Sequence, residues 1–258
     1  ALNEMLLRDL VDYHFQPIVD AVTGEVFGYE ALMRPQVKSL RAPDNVLALA
    51  RHDGRLVDVE RMTWFCAMDA FVRHQRQDFV SDTCRIFINS IPNVSMSEAD
   101  EAKFEERFRP YLSLIVQEQT ENERADDACV RHKKQLIVSW GASTALDDYG
   151  SGLNNEKALL TYGTDYVKLD ISLVQGVDTD ITRRQMIAGL VQFAHLNHIR
   201  VVAEGVETAP EMKVLIELGV DYMQGYYLAR PALIPPILPS ELTNRIRALH
   251  MRHDSDVL

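Results

Sequence analysis

Carboxylates recur at the ends of the apolar stretches that read as strands. Glu30 closes the stretch 26–32, Glu118 and Glu121 follow 113–117, and Asp147-Asp148 follow 143–146. Asp170 follows 166–169, and Glu204 with Glu207 follows 200–203. Asn89 and Gln224 stand at matching points, after 85–88 and 221–223. If those ends converge on one cavity, the like charges raise one another's pKa values and require a positive counter-charge. The set contains no Cys and no His, so its donors are all oxygen, which suits Mg²⁺ or Mn²⁺ rather than zinc. Adjacent aspartates such as Asp147-Asp148 suit a pair of ions. Two ions about 3.5–4 Å apart can activate a water and steady a phosphodiester during in-line displacement. Lys168 and Arg34 are the cations at the same strand ends, fitted to phosphate oxygens or to the attacking water.

Each of these residues also has an ordinary structural reading. Glu30 can be a solvated charge, and Asp147-Asp148 before Tyr-Gly-Ser-Gly can be a turn. Glu207 can belong to a helix start, with Thr208 as N-cap and Pro210 in the first turn. Acids at five strand ends together favour a metal site over five separate accidents. His14, His195 and His198 read as structural or surface residues. Met62, Phe65, Cys66 and Met68, at helical spacing, read as core or subunit interface. The charged run 121–134 reads as a solvated helix face.

The elements that must position the acids alternate. Strands are expected at 14–20, 26–32, 84–90, 113–121, 143–148, 166–172, 199–207 and 220–225. Helices are expected from Pro43, over 57–72, 97–110, 122–137, 183–197 and 209–219, with one more after the Pro-rich 235–239 and a frayed tail after about His250. In 183–197, Ile187, Leu190, Val191 and Ala194 fall at i, i+3, i+4 and i+7, one buried stripe. Eight strand signals alternating with helices over 258 residues predict an α/β fold, a TIM-like (β/α)₈ barrel, whose C-terminal strand ends share one mouth. An open doubly wound sheet is the rival, weakened by the absence of a Gly-rich phosphate loop.

Composition narrows the class. With 47% hydrophobic and 25% charged residues the chain is an ordinary globular one, which excludes global disorder. Against 38 acidic residues stand 27 Lys and Arg, a net charge of −11, which argues against a DNA or RNA coat. A small phosphorylated ligand stays compatible, because divalent ions supply charge locally. Cys66, Cys84 and Cys129 are scattered and form no C-x-x-C pair, so neither a disulfide framework nor structural zinc is expected, and a reducing, cytoplasmic setting is. No apolar run approaches 18 residues, so no membrane contact by this domain is expected. The opening ALNEMLLRDL is too acidic for a signal peptide and reads as a helix entering a single domain, 1–258, cut from a larger multidomain protein that could itself be membrane-tethered.

The string Glu30-Ala31-Leu32-Met33-Arg34 matches E-A-L-x-R, and the chain resembles the EAL-domain family of bacterial cyclic di-GMP phosphodiesterases over about residues 10–235. Asn89-Ser90, Glu118-Gln119-Thr120-Glu121 and Asp147-Asp148-Tyr149-Gly150-Ser151-Gly152 match its motifs in order. So do Lys168-Leu169-Asp170, Ala203-Glu204-Gly205-Val206-Glu207-Thr208 and Gln224-Gly225-Tyr226-Tyr227. The resemblance implies a barrel whose first strand runs antiparallel to its neighbours, and two divalent cations, Mg²⁺ or Mn²⁺, with Ca²⁺ binding but inhibiting. It implies Glu30, Asn89, Glu118 and Asp147 as ligands of one ion, with Asp147 bridging to a second held by Asp148 and Glu204. Lys168 would orient the attacking water, and Glu204 is the favoured general base. Gln16 and Arg34 would contact substrate, with Asp170 and Gln224 lining the site and Glu121 steadying the loop 148–155. The activity implied is hydrolysis of cyclic di-GMP to linear 5′-pGpG, in a homodimer governed by regulatory domains of the same polypeptide. A catalytically weak receptor or regulatory interaction domain is the alternative. Leu153-Asn154-Asn155 departs from the family pattern where the loop would couple to a dimer interface, and Gln117 is polar where an apolar strand residue is usual.

Overall fold

The structure, a computed structural model, describes residues 1–120, 127–151, 159 and 163–257, with side chains described there except at 120, 127 and 253–257. Eight strands close into one barrel in chain order: β1 Val11–Asp20, β2 Val26–Pro35, β3 Arg85–Asn89, β4 Ile115–Thr120, β5 Ser143–Tyr149, β6 Tyr166–Leu169, β7 Arg200–Ala203 and β8 Tyr222–Met223. Strand β1 runs antiparallel to both β2 and β8, while the remaining neighbours pair in parallel. The hairpin between β1 and β2 is tight enough for this reversal because Gly24 takes φ +69° and Asp20 caps the turn through the backbone N–H groups of Val22 and Thr23.

The α-helices whose bounds fall among the described residues are α1 Leu2–Arg8, α2 Pro43–His52, α3 Leu56–Arg76, α4 Glu98–Phe108, α5 Asp127–Trp140, α6 Ile171–Val174, α7 Ile181–Leu196, α8 Ala209–Glu217 and α9 Ser240–Val257. Helix α9 runs through the stretch that reads in sequence as a tail after His250. The stripe Ile187, Leu190, Val191 and Ala194 of α7 is buried, as its spacing predicts. Strand β6 is shorter than its sequence pattern: it stops at Leu169, and Asp170 turns the chain into α6 by accepting the Ser172 N–H at 2.9 Å.

A simple period carries the architecture inside the barrel. Ile18, Phe87, Val116, Ala145, Tyr166 and Val202 form a buried apolar layer, closed by Phe27 stacked on Tyr222 at 4.0 Å between ring centroids. Side chains alternate along a strand, so the residue two positions on points the same way. Two steps beyond Phe87, Val116, Ala145, Tyr166, Val202 and Tyr222 stand Asn89, Glu118, Asp147, Lys168, Glu204 and Gln224. On the reversed strand β1 the order inverts, with Gln16 two residues before Ile18. A polar layer therefore sits directly on an apolar one, at the mouth where the parallel strands end.

Candidate functional site

Lys168 is the centre of that polar layer. Its ammonium is 1% exposed and lies 2.5 Å from Glu118 Oε1, 2.8 Å from Glu204 Oε1, 3.0 Å from Asp147 Oδ1 and 3.4 Å from Glu30 Oε2. The four carboxylates come from three different strands and the residue that follows a fourth, and closure of the barrel is what brings them to one point. Burial opposes the charge on Lys168, but Asp147, Glu118, Glu204 and Glu30 outweigh it and push its pKa well above the ordinary lysine value. Burial and the neighbouring Glu30 push the Glu118 carboxyl well up against the pull of Lys168. Burial raises Glu204 to about 8, with Lys168 opposing and Asp147 and Glu30 adding to the rise.

Asp147 and Asp148 are consecutive, and a regular strand would send them to opposite faces. The β5–β6 register shifts between Leu146 and Tyr149, and Asp148 takes the left-handed conformation at φ +56°. Aspartate tolerates that region better than most residues. The resulting bulge turns both carboxylates toward the mouth. Ligand atoms of Asp147, Asp148 and Glu204 all lie within 4.8 Å of one another. Burial and the adjacent Asp147 raise the Asp148 carboxyl above its ordinary range.

The remaining expected residues are placed around this cluster unequally. Asn89 donates its amide to Glu30 Oε1 at 3.2 Å, and Gln224 donates to Glu30 Oε2 at 2.8 Å and to Gln16 Oε1 at 3.2 Å. Glu30 lies inside β2 rather than at its end, since that strand continues to Pro35. Asp170 is engaged as the N-cap of α6, close enough to raise the pKa of Asp148. Arg34 stands apart from the acids, four residues beyond Glu30. It lines a separate open cavity of about 440 Å³ with His14, Lys38 and Arg41. Glu121 and Leu153–Asn155 lie outside the described residues.

Beside the acid cluster is a cavity of about 270 Å³ whose walls include Gln16, Glu30, Glu204, Glu207, Gln224 and Tyr226. Tyr226 is an exposed aromatic wall, held by the Arg230 guanidinium 4.3 Å above its ring. Sequence reasoning assigned it nothing, although it follows Gln224-Gly225 in a motif already singled out. Thr208 is the N-cap of α8 in a full capping box with Glu211, which is its structural reading made explicit.

The charged run 121–134 is not wholly a solvated face. Lys133 is 8% exposed and ion-paired at 3.3 Å with the buried Glu60 of α3, in a cluster that also includes Ser90 and Gln117. Helix α5 packs this residue inward because its turn faces the polar back of β3 and β4. Periodicity alone flagged none of the four, though Gln117 breaks an otherwise apolar strand run.

The acid cluster fits a divalent cation on its own terms. Four carboxylates share one ammonium, and, that ion pair apart, neither oxygen of Glu118 nor Oδ1 of Asp147 has a hydrogen-bond partner despite being buried. Oxygen atoms buried this way need compensation, and the donors are hard.

A family model described as the EAL domain matches residues 1–231. The chain is 26% identical over 247 residues to the signaling protein YkoW of Bacillus subtilis, covering 91% of this chain and 30% of that protein. It is 26% identical over 246 residues to the cyclic di-GMP phosphodiesterase NbdA of Pseudomonas aeruginosa, covering 89% and 30%. The crystal structure of a standalone versatile EAL protein from Vibrio cholerae, solved with c-di-GMP bound, superposes with a TM-score of 0.74 at 28% identity, covering 90% of this chain and 97% of that one. The chain spans about a third of the length of the curated relatives it matches. No described helix is long and apolar enough to cross a membrane. With a closed barrel whose first strand is reversed, and with the family model running from the first residue through β8 and beyond, the chain belongs to the EAL-domain family.

Proposed function

We propose that this domain is a metal-dependent phosphodiesterase that opens cyclic di-GMP to linear 5′-pGpG. The observation that carries the reading is buried Lys168 set among four carboxylates, three of them buried, with Asp147, Asp148 and Glu204 close enough to share an ion. Its homology to a cyclic di-GMP phosphodiesterase and to a protein solved with c-di-GMP bound gives the substrate class.

Glu30, Asn89, Glu118 and Asp147 would hold one divalent ion, and Asp147, Asp148 and Glu204 a second. Mg²⁺ or Mn²⁺ bound there supplies Lewis-acid charge to the phosphoryl oxygens and makes water a stronger nucleophile at neutral pH. Lys168 keeps the four carboxylates gathered and stands within reach of an attacking water beside Glu204. Glu204, 2.8 Å from the Lys168 ammonium and in the cavity wall, is placed to accept that water's proton at its carboxylate oxygen. The apolar layer below closes the floor of the site. Gln16, Gln224 and Tyr226 line the cavity for the nucleotide, and Arg34 offers a guanidinium to a phosphate further along the rim. Ca²⁺ occupies such oxygen sites with looser geometry and is expected to bind without supporting turnover. A homodimer, regulatory segments on the same polypeptide and a cytoplasmic setting complete this reading.

The test is incubation of the purified chain with cyclic di-GMP in Mg²⁺, Mn²⁺, Ca²⁺ or EDTA, beside Glu30→Ala, with products separated by chromatography. Linear pGpG in Mg²⁺ or Mn²⁺, lost in EDTA and in the variant, is the expected result. Tight binding with no product in any metal would replace the enzyme with a receptor.

A further inference from the structure

Behind the polar layer, on the other face of the same strands, lies a second polar cluster. Asn89 and Glu118 are register partners across β3 and β4, and both point inward. Their chain neighbours Ser90 and Gln117 therefore point outward, under the helices. That face of a barrel strand normally meets apolar helix side chains. Here it meets Glu60 of α3 and Lys133 of α5, and Glu60, Ser90, Gln117 and Lys133 are 2%, 7%, 1% and 8% exposed.

The bonding is dense. The Ser90 hydroxyl donates to Glu60 Oε1 at 2.6 Å and accepts from Lys133 Nζ at 2.7 Å and from Gln117 Nε2 at 2.9 Å. Lys133 places its other two protons on Glu60 Oε1 at 3.3 Å and on the Ile91 carbonyl at 2.8 Å. Glu60 also accepts from the Trp64 indole at 3.1 Å and from the Ile91 backbone N–H at 2.8 Å. Every ammonium proton is used. The Ser90 N–H meanwhile donates to the Glu118 carbonyl at 3.1 Å. Two helices thus grip the chain at the residue after Asn89, and Gln117, the residue before Glu118, is tied to the same Ser90 hydroxyl.

We propose that Glu60, Ser90, Gln117 and Lys133 are positioning residues that set Asn89 and Glu118 for the divalent ion, an inference that rests on the metal reading above. A buried ion pair is not by itself a strong source of stability, because desolvation offsets much of the attraction. What this one contributes is orientation. The turn at Ser90-Ile91 is fixed by five hydrogen bonds to Glu60, Lys133 and Gln117, so the backbone that carries Asn89, whose amide donates to Glu30, is held in place. Groups that orient ligands from behind change metal affinity strongly when removed.

The experiment is direct titration of Mn²⁺ into the purified, metal-free chain, followed through the paramagnetic resonance of unbound Mn²⁺. Lys133→Met and Ser90→Ala are compared with wild type, and thermal unfolding establishes that each is folded. Ser90→Ala leaves the Glu60–Lys133 pair in place and carries the test if Lys133→Met does not fold. The expected result is Mn²⁺ affinity weakened about 10–100-fold in both variants. Ser90→Thr, which keeps the hydroxyl, should retain wild-type affinity. His132→Ala removes a different polar tie of α5, to Glu101 at 2.8 Å, and should leave Mn²⁺ affinity unchanged. Folded Ser90→Ala with wild-type affinity would overturn the positioning role alone and leave the cluster as packing. Wild-type chain that takes up no Mn²⁺ would overturn the metal site and this role with it.

Discussion

The Nζ of Lys168 lies 2.5 Å from Oε1 of Glu118, and both side chains are 1% exposed or less. Neither is stable there without the other. Removing one partner of a buried pair leaves an uncompensated charge, which costs about 3–5 kcal/mol. Lys168→Met should therefore unfold well below wild type in EDTA. Divalent ions should recover part of that loss, since a ligand that binds only the folded form stabilises it by mass action. Thermal unfolding with and without Mn²⁺ checks both halves. Equal melting of variant and wild type in EDTA would show that the ammonium is not what gathers the acids.

Asp148 separates fold from chemistry. Asparagine also tolerates the left-handed region, so Asp148→Asn keeps the bulge that turns the pair of side chains inward. The variant should melt with wild type while its Mn²⁺-dependent turnover falls about 100-fold, the size of effect seen when one charge-stabilising group is lost. Undiminished turnover would remove Asp148 from the ion's ligands.

Glu211 gives a pH dependence whose sign follows from its bonds. Burial raises its carboxyl, but N–H groups of Gly176, Glu207 and Thr208, at 2.9, 3.0 and 3.0 Å, outweigh that and hold it below the ordinary glutamate value. Its folded-state pKa is depressed, so its contribution is complete above the unfolded value and is lost as pH falls through the folded one. Glu211→Ala should cost about 1.5–3 kcal/mol near neutrality. That gap should narrow below about pH 4.3. Denaturant titrations at pH 7 and in acid measure it, and a constant gap would contradict the assignment.

Gly225 sits where two loop backbones touch. A Cβ there would meet the backbone N and O of Val206 at 2.2 Å. Neither atom can swing aside as a side-chain tip would. Gly225→Ala should thus push the β7 and β8 loops apart, at about 1–3 kcal/mol or somewhat more. It should also weaken cyclic di-GMP binding, because Gln224 and Tyr226 flank it in the cavity wall. Calorimetric melting and a nucleotide titration report the two effects, and wild-type values in both would refute the contact.

The barrel and much of its mouth were legible in the chain because strand parity is local. Phe87/Asn89, Val116/Glu118, Ala145/Asp147, Tyr166/Lys168 and Val202/Glu204 each pair an apolar residue with a polar one two steps on, and that spacing needs no tertiary information. The donor chemistry, all oxygen, was equally a matter of residue type. Lys133 was misread for the opposite reason. Its run of charges looks solvated until α5 is seen to dock on α3 and on the outward face of β3 and β4, and burial of a lysine depends on the partner that awaits it.

What the amino-acid order determined by itself was which residues share a face, which could ligate a hard cation and that the strands alternate with helices. Only the tertiary structure decided that Lys168 would be the common neighbour of four acids, that a register shift would turn Asp147 and Asp148 the same way, and that Arg34 would stand apart from them. The physical reason is range. Side-chain alternation is set by two consecutive peptide units, whereas Glu30 and Lys168 meet across 138 residues only because the sheet closes on itself.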